Sequence, residues 1–339
     1  MKKFYKAIAV IFIIILILLS VTEFYVSKIF FDVLFKPYDS SGKIEVTIPD
    51  FVSSKEVARI LDEKKVIKNS WLFELYIRNQ KQDKKIKSGK YEFDINSSYA
   101  VVLEKLIQGP PKPETFTLLI PEGFTLEQIA KRVEETSTIS KRNFICEAIP
   151  EEFNYHFLEG TESLEGFLFP KTYTFLKETS AHNLIDTLLK QFETEIKDLD
   201  FSLAKQKDMN VKDIIIIASL IEREVYVPEE RELISAVIHN RLEKDMPLAI
   251  DATIRYDLSK WNDELTQSDL NIDSLYNTRK YKGLPPTAIC NPGIKSIREA
   301  LEPADVDYLY FAVNDPDLHS HFFTNSETEF FNFLNSLER

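Results

Sequence analysis

Two glutamates end one of the most apolar stretches of the chain, IIIIASLIEREV at residues 214–225. On a helical wheel, Glu222 lies over the small residues Ala218 and Ser219, whereas Glu224 lies over two large apolar residues. Small neighbours leave room for a substrate, and a carboxyl that loses solvation at the end of an apolar helix gains the raised pKa that a general acid needs. The pattern predicts Glu222 as the catalytic carboxyl and Glu224 as the second candidate. The alternative is a helix that ends in two solvated glutamates.

Polar and aromatic residues that suit sugar binding cluster in four other stretches, at residues 163–170, 239–258, 276–293 and 321–325. Aromatic rings stack on the apolar faces of sugars, while fixed amides and hydroxyls orient the sugar hydroxyls. The alternative is that Asp and Asn in such turns bond their own backbone and that His321 is a satisfied core histidine. We predict the following substrate-binding residues: Glu165, Ser219, Asn240, Asp251, Thr253, Tyr256, Asn277, Thr278, His321 and Asn325.

Long helices are predicted to position these residues. Apolar residues recur at helical spacing over 183–199, 211–225 and 229–244, whereas 245–339 is rich in Asn, Asp, Pro and Tyr and contains strand-like YLYFAV and HFFTN. Long loops of this kind usually shape a site. The pattern predicts a mainly helical α+β domain.

Two similar stretches precede this domain. IPDFVSSKEVARILDE (48–63) and IPEGFTLEQIAKRVEE (120–135) align without a gap, each with a strand ending in Ile-Pro and then a helix with a Ser or Thr N-cap. The apolar stripe of the first helix corresponds to that of the second. Either a duplication or two α+β units of common build would give this pattern. A second helix, an alternating strand and a third helix, closed by Gly109, are predicted between the two stretches.

The chain begins like a membrane anchor. Three lysines precede an uncharged run from Ala7 to Thr22, which spans about 24 Å as a helix and approaches the ~30 Å of a bilayer core. A secretory signal is the competing interpretation, but no small-x-small cleavage pattern follows. We predict a single-pass protein of the plasma (inner) membrane. Because the lysines precede the apolar run, the N-terminus is expected in the cytoplasm and the rest of the chain in the periplasm or outside the cell.

Charge and cysteine content narrow the function classes. The net charge of −12 argues against nucleic acid as a partner. Cys146 and Cys290 have no metal-ligand spacing, so neither a metal nor another cofactor is expected. In an oxidising compartment the two cysteines would either pair or remain buried thiols.

Several motifs together resemble one known family. EGFLFPKTY, ASLIEREV, ISAVIHNRLEKDMPL, YNT followed by GLPP, and YLYFAV followed by HFFTNS occur in this order. They are similar to the signature stretches of the YceG-like (MltG) endolytic murein transglycosylases over roughly residues 45–335. The chain departs from the family pattern at Ile250 and Ala252, where Gln and Pro are usual.

The resemblance implies a function. It maps the catalytic glutamate to Glu222 and implies an α+β fold with an N-terminal transmembrane helix, a small LysM-like module and a mainly helical α+β catalytic domain. The substrate would be nascent peptidoglycan strands, cut between MurNAc and GlcNAc to leave 1,6-anhydroMurNAc ends, which would terminate strand elongation beside peptidoglycan synthases. Asp251, Asn277 and Glu165 would stabilise the oxocarbenium-like charge.

The domain boundaries follow from these patterns. We predict an anchor over 1–27, a juxtamembrane linker over 28–43, the LysM-like module over 44–112 and the catalytic domain over 113–339. Two other functions stay open: a membrane-anchored peptidoglycan-binding scaffold without activity, and a hydrolase in which Glu224 or Asp251 activates water.

Overall fold

The chain folds as two compact units, Met1–Pro113 and Glu114–Arg339, each with its own hydrophobic core. The structure is a computed structural model that describes residues 2–35, 42–315 and 320–337. Helices and short antiparallel strand pairs occur in both units. The predicted α+β fold with an N-terminal apolar helix is thereby confirmed.

The first unit begins with helix α1 (Lys2–Phe35). Its segment Ile11–Lys28 is long and apolar enough to cross a membrane, and none of it is buried within the protein. The helix continues through residues 28–35, which the sequence analysis assigns to the linker, because KIFFDVLF contains no Pro or Gly that would end it. Residues 36–41 of the predicted linker lie outside the described residues.

A two-stranded sheet and three helices complete the first unit. Strand β1 (Lys43–Ile48) pairs antiparallel with β2 (Gly89–Asp94), and helices α2 (Ser54–Glu63) and α3 (Ser70–Asn79) lie between them in the chain. Helix α4 (Tyr99–Gln108) follows. The Ser53 hydroxyl accepts a hydrogen bond from the Glu56 N–H, which confirms the predicted N-cap of α2. The order is therefore strand, helix, helix, strand, helix.

The second unit opens with the same order of elements. Strand β3 (Thr115–Leu119) pairs antiparallel with β4 (Thr172–Leu176), and helices α5 (Leu126–Thr136) and α6 (Lys141–Glu147) lie between them in the chain. A complete capping box begins α5. The aligned stripes of α2 and α5 are buried in their respective units: Val57, Ala58, Leu61, Ile129, Ala130 and Val133. A duplication and two independent α+β units of common build would both give this shared order.

Helices make up most of the rest of the second unit, and the three long predicted helices are confirmed within a few residues. The elements are α7 (Ala181–Ile196), α8 (Ser202–Gln206), α9 (Val211–Glu224), α10 (Arg231–Glu243), α11 (Asp251–Asp257), α12 (Gln267–Leu270), α13 (Ile294–Leu301), the hairpin β5 (Tyr310–Asp315) with β6 (Ser320–Thr324), and α14 (Glu327–Leu337).

Helix α9 forms the centre of the second core. Asn210 and Asp213 form a capping box at its start, and every residue from Ile214 to Ile221 is buried. A helix that is enclosed on all sides carries no polar face until it leaves the core. Consequently its first polar groups toward the C-terminus, apart from Ser219, are those of its last turn, where Glu222 lies.

The two cysteines are free thiols in different surroundings. Cys146 is exposed and Cys290 is buried. The alternative that they pair is therefore wrong, and so is the expectation that both thiols are buried. Burial raises the pKa of the Cys290 thiol well above its ordinary value.

Candidate active site

The start of helix α13 holds the carboxyl of Glu222 in place. One carboxyl oxygen, Oε2, accepts hydrogen bonds from the Gly293 N–H at 3.1 Å and from the Ser296 hydroxyl at 2.6 Å. Free N–H groups at a helix N-terminus are natural partners for a carboxylate. Glu222 itself is only partly buried. The helix end thus fixes the orientation of the carboxyl through one oxygen and leaves the other without a protein donor among the described residues.

A second carboxyl, that of Glu122, lies against the same turn. Glu122 lies so close to Gly293 that an added Cβ on this glycine would collide with the Glu122 carboxyl. Gly123, the residue after Glu122, is in turn close to Glu222, since an added Cβ there would lie 3.8 Å from Glu222 Cγ. Burial and the charge of Glu222 raise the pKa of Glu122, while Arg231 opposes this shift. Glu122 is not among the residues that the sequence motifs predict for the site. The sequence feature that could have identified Glu122 is its place directly after Ile-Pro in the second similar stretch.

Glu224 lies on another side of the α9 end. Its carboxylate accepts a hydrogen bond from the Ala252 N–H in the first turn of α11. Burial and the nearby charge of Asp251 raise the pKa of Glu224 to about 7, against the opposing charges of Arg223 and Arg255. A pKa near neutrality is one requirement for a general acid, so Glu224 stays the competing candidate.

Arg223 links the end of α9 to two neighbouring segments. Its Nη1 donates to the Gly123 carbonyl at 3.4 Å. Its guanidinium lies over the ring of Trp261, 3.9 Å from the centroid. No motif in the sequence points to Trp261 or to a role for Arg223.

Glu165 is the most enclosed carboxyl near the site, with 2% of its surface exposed. It accepts hydrogen bonds from the Leu126 N–H at 2.9 Å, the Asn291 amide at 2.9 Å and the Tyr256 hydroxyl at 3.1 Å. Asn291 also accepts from the Gly166 and Leu168 N–H groups through its own oxygen. Burial raises the pKa of Glu165 to about 8, and these hydrogen bonds only partly oppose the rise.

A groove of about 450 Å³ opens above Glu165. The start of α5, Tyr256 and Trp261 contribute to its wall. Glu222 does not line the groove. Arg223 connects the two, since it contacts Trp261 in the groove wall and Gly123, which lies next to Glu222. The volume is within the range of small-molecule sites.

The raised pKa of Glu165 predicts a pH-dependent stability. The folded protein keeps a proton on Glu165 up to a pH of about 8, whereas the unfolded chain loses it near 4.5. The folded state therefore binds more protons between these values, and stability falls as the pH rises, by up to about 1.4 kcal/mol per pH unit. Glu165→Gln should flatten this slope.

The chain has one Trp in each unit, Trp71 and Trp261, so a Trp71→Phe background reports unfolding of the second unit alone. Urea unfolding at pH 5.5 and 7.5, followed by Trp261 emission with and without Glu165→Gln, measures the effect. Parallel pH slopes in the two proteins would contradict the prediction.

Four predicted substrate-binding residues have almost no exposed surface. Ser219 and Thr253 are 0% exposed, and Asn277 and Thr278 are 1% exposed. Ser219 accepts from the Ile289 N–H, Asn277 donates to the Leu270 and Ile272 carbonyls, and the two threonine hydroxyls contact each other and the Ile250 backbone. The prediction of direct substrate contact is wrong for these four residues in this structure. They brace the segments that surround the site.

Four others have protein partners outside the groove. Asn240 donates to the Val306 and Tyr308 carbonyls. The Asp251 carboxylate pairs with Arg279 at 2.6 and 3.0 Å. The buried His321 ring contacts Glu230 at 2.6 Å, and Asn325 donates to Asp307. Of the ten predicted binding residues, Glu165 and Tyr256 line the groove.

Fold and site together define a class of α+β protein. In this class a buried helix ends in a carboxyl, and a second helix orients that carboxyl near an open groove. The chain belongs to the YceG-like family, whose model matches residues 46–335. This confirms the resemblance that the motifs show.

Similar proteins occur in Bacillus subtilis and Streptococcus pneumoniae. The chain is 33% identical to an endolytic murein transglycosylase of Bacillus subtilis, over 80% of this chain and 79% of that protein. It is 30% identical to an endolytic murein transglycosylase of Streptococcus pneumoniae R6, over 95% of this chain but only 64% of that protein.

A solved structure is also similar. The crystal structure of a YceG-like protein from Listeria monocytogenes matches with a TM-score of 0.58 and 32% identity, and it covers 88% of this chain and all of that one.

Proposed function

We propose that this protein is an endolytic peptidoglycan lytic transglycosylase that cuts the MurNAc–GlcNAc β-1,4 bond within nascent glycan strands. The observation that carries the proposal is the Glu222 carboxyl, which the Gly293 N–H and Ser296 hydroxyl orient at the end of a buried helix. Relatives 30–33% identical that are named endolytic murein transglycosylases support it.

A single carboxyl can perform both proton transfers. Protonated Glu222 gives its proton to the glycosidic oxygen as the bond to MurNAc C1 breaks. The resulting carboxylate takes the proton of the MurNAc C6 hydroxyl, whose oxygen attacks C1 of the same sugar. No water is consumed, and the product is a 1,6-anhydroMurNAc end. Because the nucleophile is tethered, the step has a high effective molarity. Glycosidases that use water need two carboxylates at a defined separation instead.

Glu122 is the residue we assign to the charge that develops at C1. It lies against Gly293, the same residue that holds Glu222. The residues predicted from the sequence for this task are Asp251, Asn277 and Glu165. Asn277 and Glu165 are buried, however, and Asp251 is paired with Arg279. A negative group next to the acid suits a positively charged transition state.

The N-terminal elements fit a supporting role. In our proposal, residues 44–112 form a LysM-like module that binds glycan, since the strand, helix, helix, strand order of the first unit suits such a module. This inference rests on fold analogy. The catalytic domain then covers 113–339.

Helix α1 would anchor the protein in the membrane with its N-terminus in the cytoplasm. Its segment Ile11–Lys28 has the required length and composition. The catalytic domain would then meet strands as synthases make them, and cleavage there would terminate strand elongation.

Strand length is the first test of this function. Full-length protein in detergent micelles is incubated with long uncrosslinked glycan strands, and fragment lengths are measured by size-exclusion chromatography. Internal cleavage shortens the whole length distribution early in the reaction, whereas removal of terminal disaccharides leaves most strands long. Unchanged strands that still bind the protein would contradict the proposal and indicate a scaffold.

A further inference from the structure

Trp261 is a large aromatic residue that stands apart from the core of the second unit. It lies in the loop after α11 and is neither buried nor among the residues that pack on the core of the second unit, unlike its neighbours Tyr256 and Tyr276. A tryptophan that packs on no core contributes little to folding through burial. Something other than core packing therefore has to account for its placement.

Two contacts nevertheless fix the orientation of the Trp261 ring. The Arg223 guanidinium covers one face at 3.9 Å from the centroid. The Tyr256 ring meets the indole edge on, with an interplanar angle of 66° and 6.4 Å between centroids. With one face covered, the indole can contribute to the groove only through its opposite face and its free edges.

The groove beside the indole offers the groups that a saccharide needs. Its wall combines two aromatic residues, Tyr256 and Trp261, with the polar residues Gln128, Ser163 and Ser259 and with four charged residues besides Glu165. An apolar platform surrounded by a few polar groups is the usual arrangement for binding a sugar ring. A volume of about 450 Å³ also leaves space for a sugar unit.

The platform is coupled to the proposed catalytic helix. Arg223 directly follows Glu222 and bonds the Gly123 carbonyl, while Gly123 in turn lies next to Glu222. Arg223 therefore fixes the position of a ligand on Trp261 relative to Glu222.

We propose that Trp261 is the stacking platform of a glycan subsite next to the cleavage point, which takes an N-acetylhexosamine ring, and that Arg223 is its positioning residue. This inference rests on the proposed function and specifies where the strand is held.

The test uses the fact that the chain has only two tryptophans. In full-length Trp71→Phe protein that also carries Glu222→Gln, so that the ligand stays intact, Trp261 is the sole tryptophan emitter. Titration with the tetrasaccharide of alternating GlcNAc and MurNAc should give a saturable change in its emission. No change at concentrations where calorimetry detects binding would overturn the proposal.

Two substitutions test the energetic role. Trp261→Ala should weaken binding of the tetrasaccharide at least about tenfold, as expected for loss of an aromatic anchor, while Trp261→Phe, which keeps an aromatic face, should recover most of it. Arg223→Gln should raise KM more than it lowers kcat and should increase the mobility of the indole, seen as lower emission anisotropy. Affinity unchanged in Trp261→Ala would contradict the subsite.

The two proposals fail in different ways. A wild-type protein that shortens strands while Trp261 does not respond to the sugar would remove the subsite and keep the enzyme. A Trp261 response without any cleavage by the wild type would remove the enzyme and keep a glycan-binding site.

Discussion

Replacing Glu222 by Gln should reduce glycan cleavage by a factor of about a thousand or more while leaving the fold and glycan binding intact. General acid–base catalysis contributes ~10²–10⁴-fold, and here one group performs both transfers. Gln keeps the size of Glu and an oxygen that can accept from the Gly293 N–H and the Ser296 hydroxyl. The substitution therefore removes the proton without removing the support. Initial rates of strand shortening at pH 6–7 measure the effect.

Glu224→Gln is the matched control. Glu224 lies two residues further on in the same helix and has a pKa of about 7, so it is the best competing acid. We expect this variant to keep activity within about tenfold of the wild type, since the acid–base effect of ~10²–10⁴-fold would stay with Glu222. Full activity in Glu222→Gln together with its loss in Glu224→Gln would transfer the catalytic role to Glu224.

The largest stability effect is expected for Gly166→Ala. Gly166 has a φ of +96°, and a Cβ there would lie 2.6 Å from both Ala288 Cβ and Ile215 Cγ2. The left-handed conformation costs a non-glycine residue ~1–2 kcal/mol, and overpacking adds ~1–3 kcal/mol. We therefore expect the free energy of unfolding of the second unit to fall by about 2–5 kcal/mol. Urea unfolding followed by Trp261 emission in the Trp71→Phe background provides the measurement.

Gly160→Ala separates strain from collision. Gly160 also has a positive φ, +72°, but nothing lies within 4 Å of its added Cβ. This variant should show only the conformational cost of ~1–2 kcal/mol. If the two variants were equally stable, the tight packing of Gly166 against Ile215 and Ala288 would be disproved.

Gly166 also connects stability to the site. Its N–H donates to Asn291, and Asn291 donates to the neighbouring Glu165. A shift of the backbone at Gly166 would therefore disturb the floor of the groove as well as the core.

The main helices and the central role of α9 could be predicted from the sequence. A run of Ile, Ala and Leu followed by charged residues indicates burial that ends at the helix end, and the structure buries residues 214–221. The two capped helices of the similar stretches also follow from local patterns, because a cap and an amphipathic stripe depend on residues within one or two turns.

The surroundings of Glu222 could not be predicted in this way. Glu122 and Ser296 lie far from it in the chain, and only the packing of α13 and the turn after β3 against α9 brings them together. The sequence shows an acidic residue after Ile-Pro and a serine in a helix, and neither pattern indicates its partner.

The polar residues of the turn-rich segments show a different limit. Composition indicates amides and hydroxyls that suit a sugar, but it does not distinguish a side chain that faces solvent from one that satisfies buried backbone groups. Asn277 satisfies buried backbone groups, since its amide donates hydrogen bonds to the carbonyls of Leu270 and Ile272. Trp261 escaped selection because a single tryptophan in a polar loop has no periodicity.

The source of the oxygen at the new strand ends tests the central claim most directly. Uncrosslinked glycan is digested by the full-length protein in ¹⁸O-labelled water, and the fragments are weighed by mass spectrometry. We predict ends that are lighter by one water than a reducing end and that carry no label, because the MurNAc C6 hydroxyl is the nucleophile. Reducing ends that contain ¹⁸O would show attack by water and would contradict the assignment of a lytic transglycosylase.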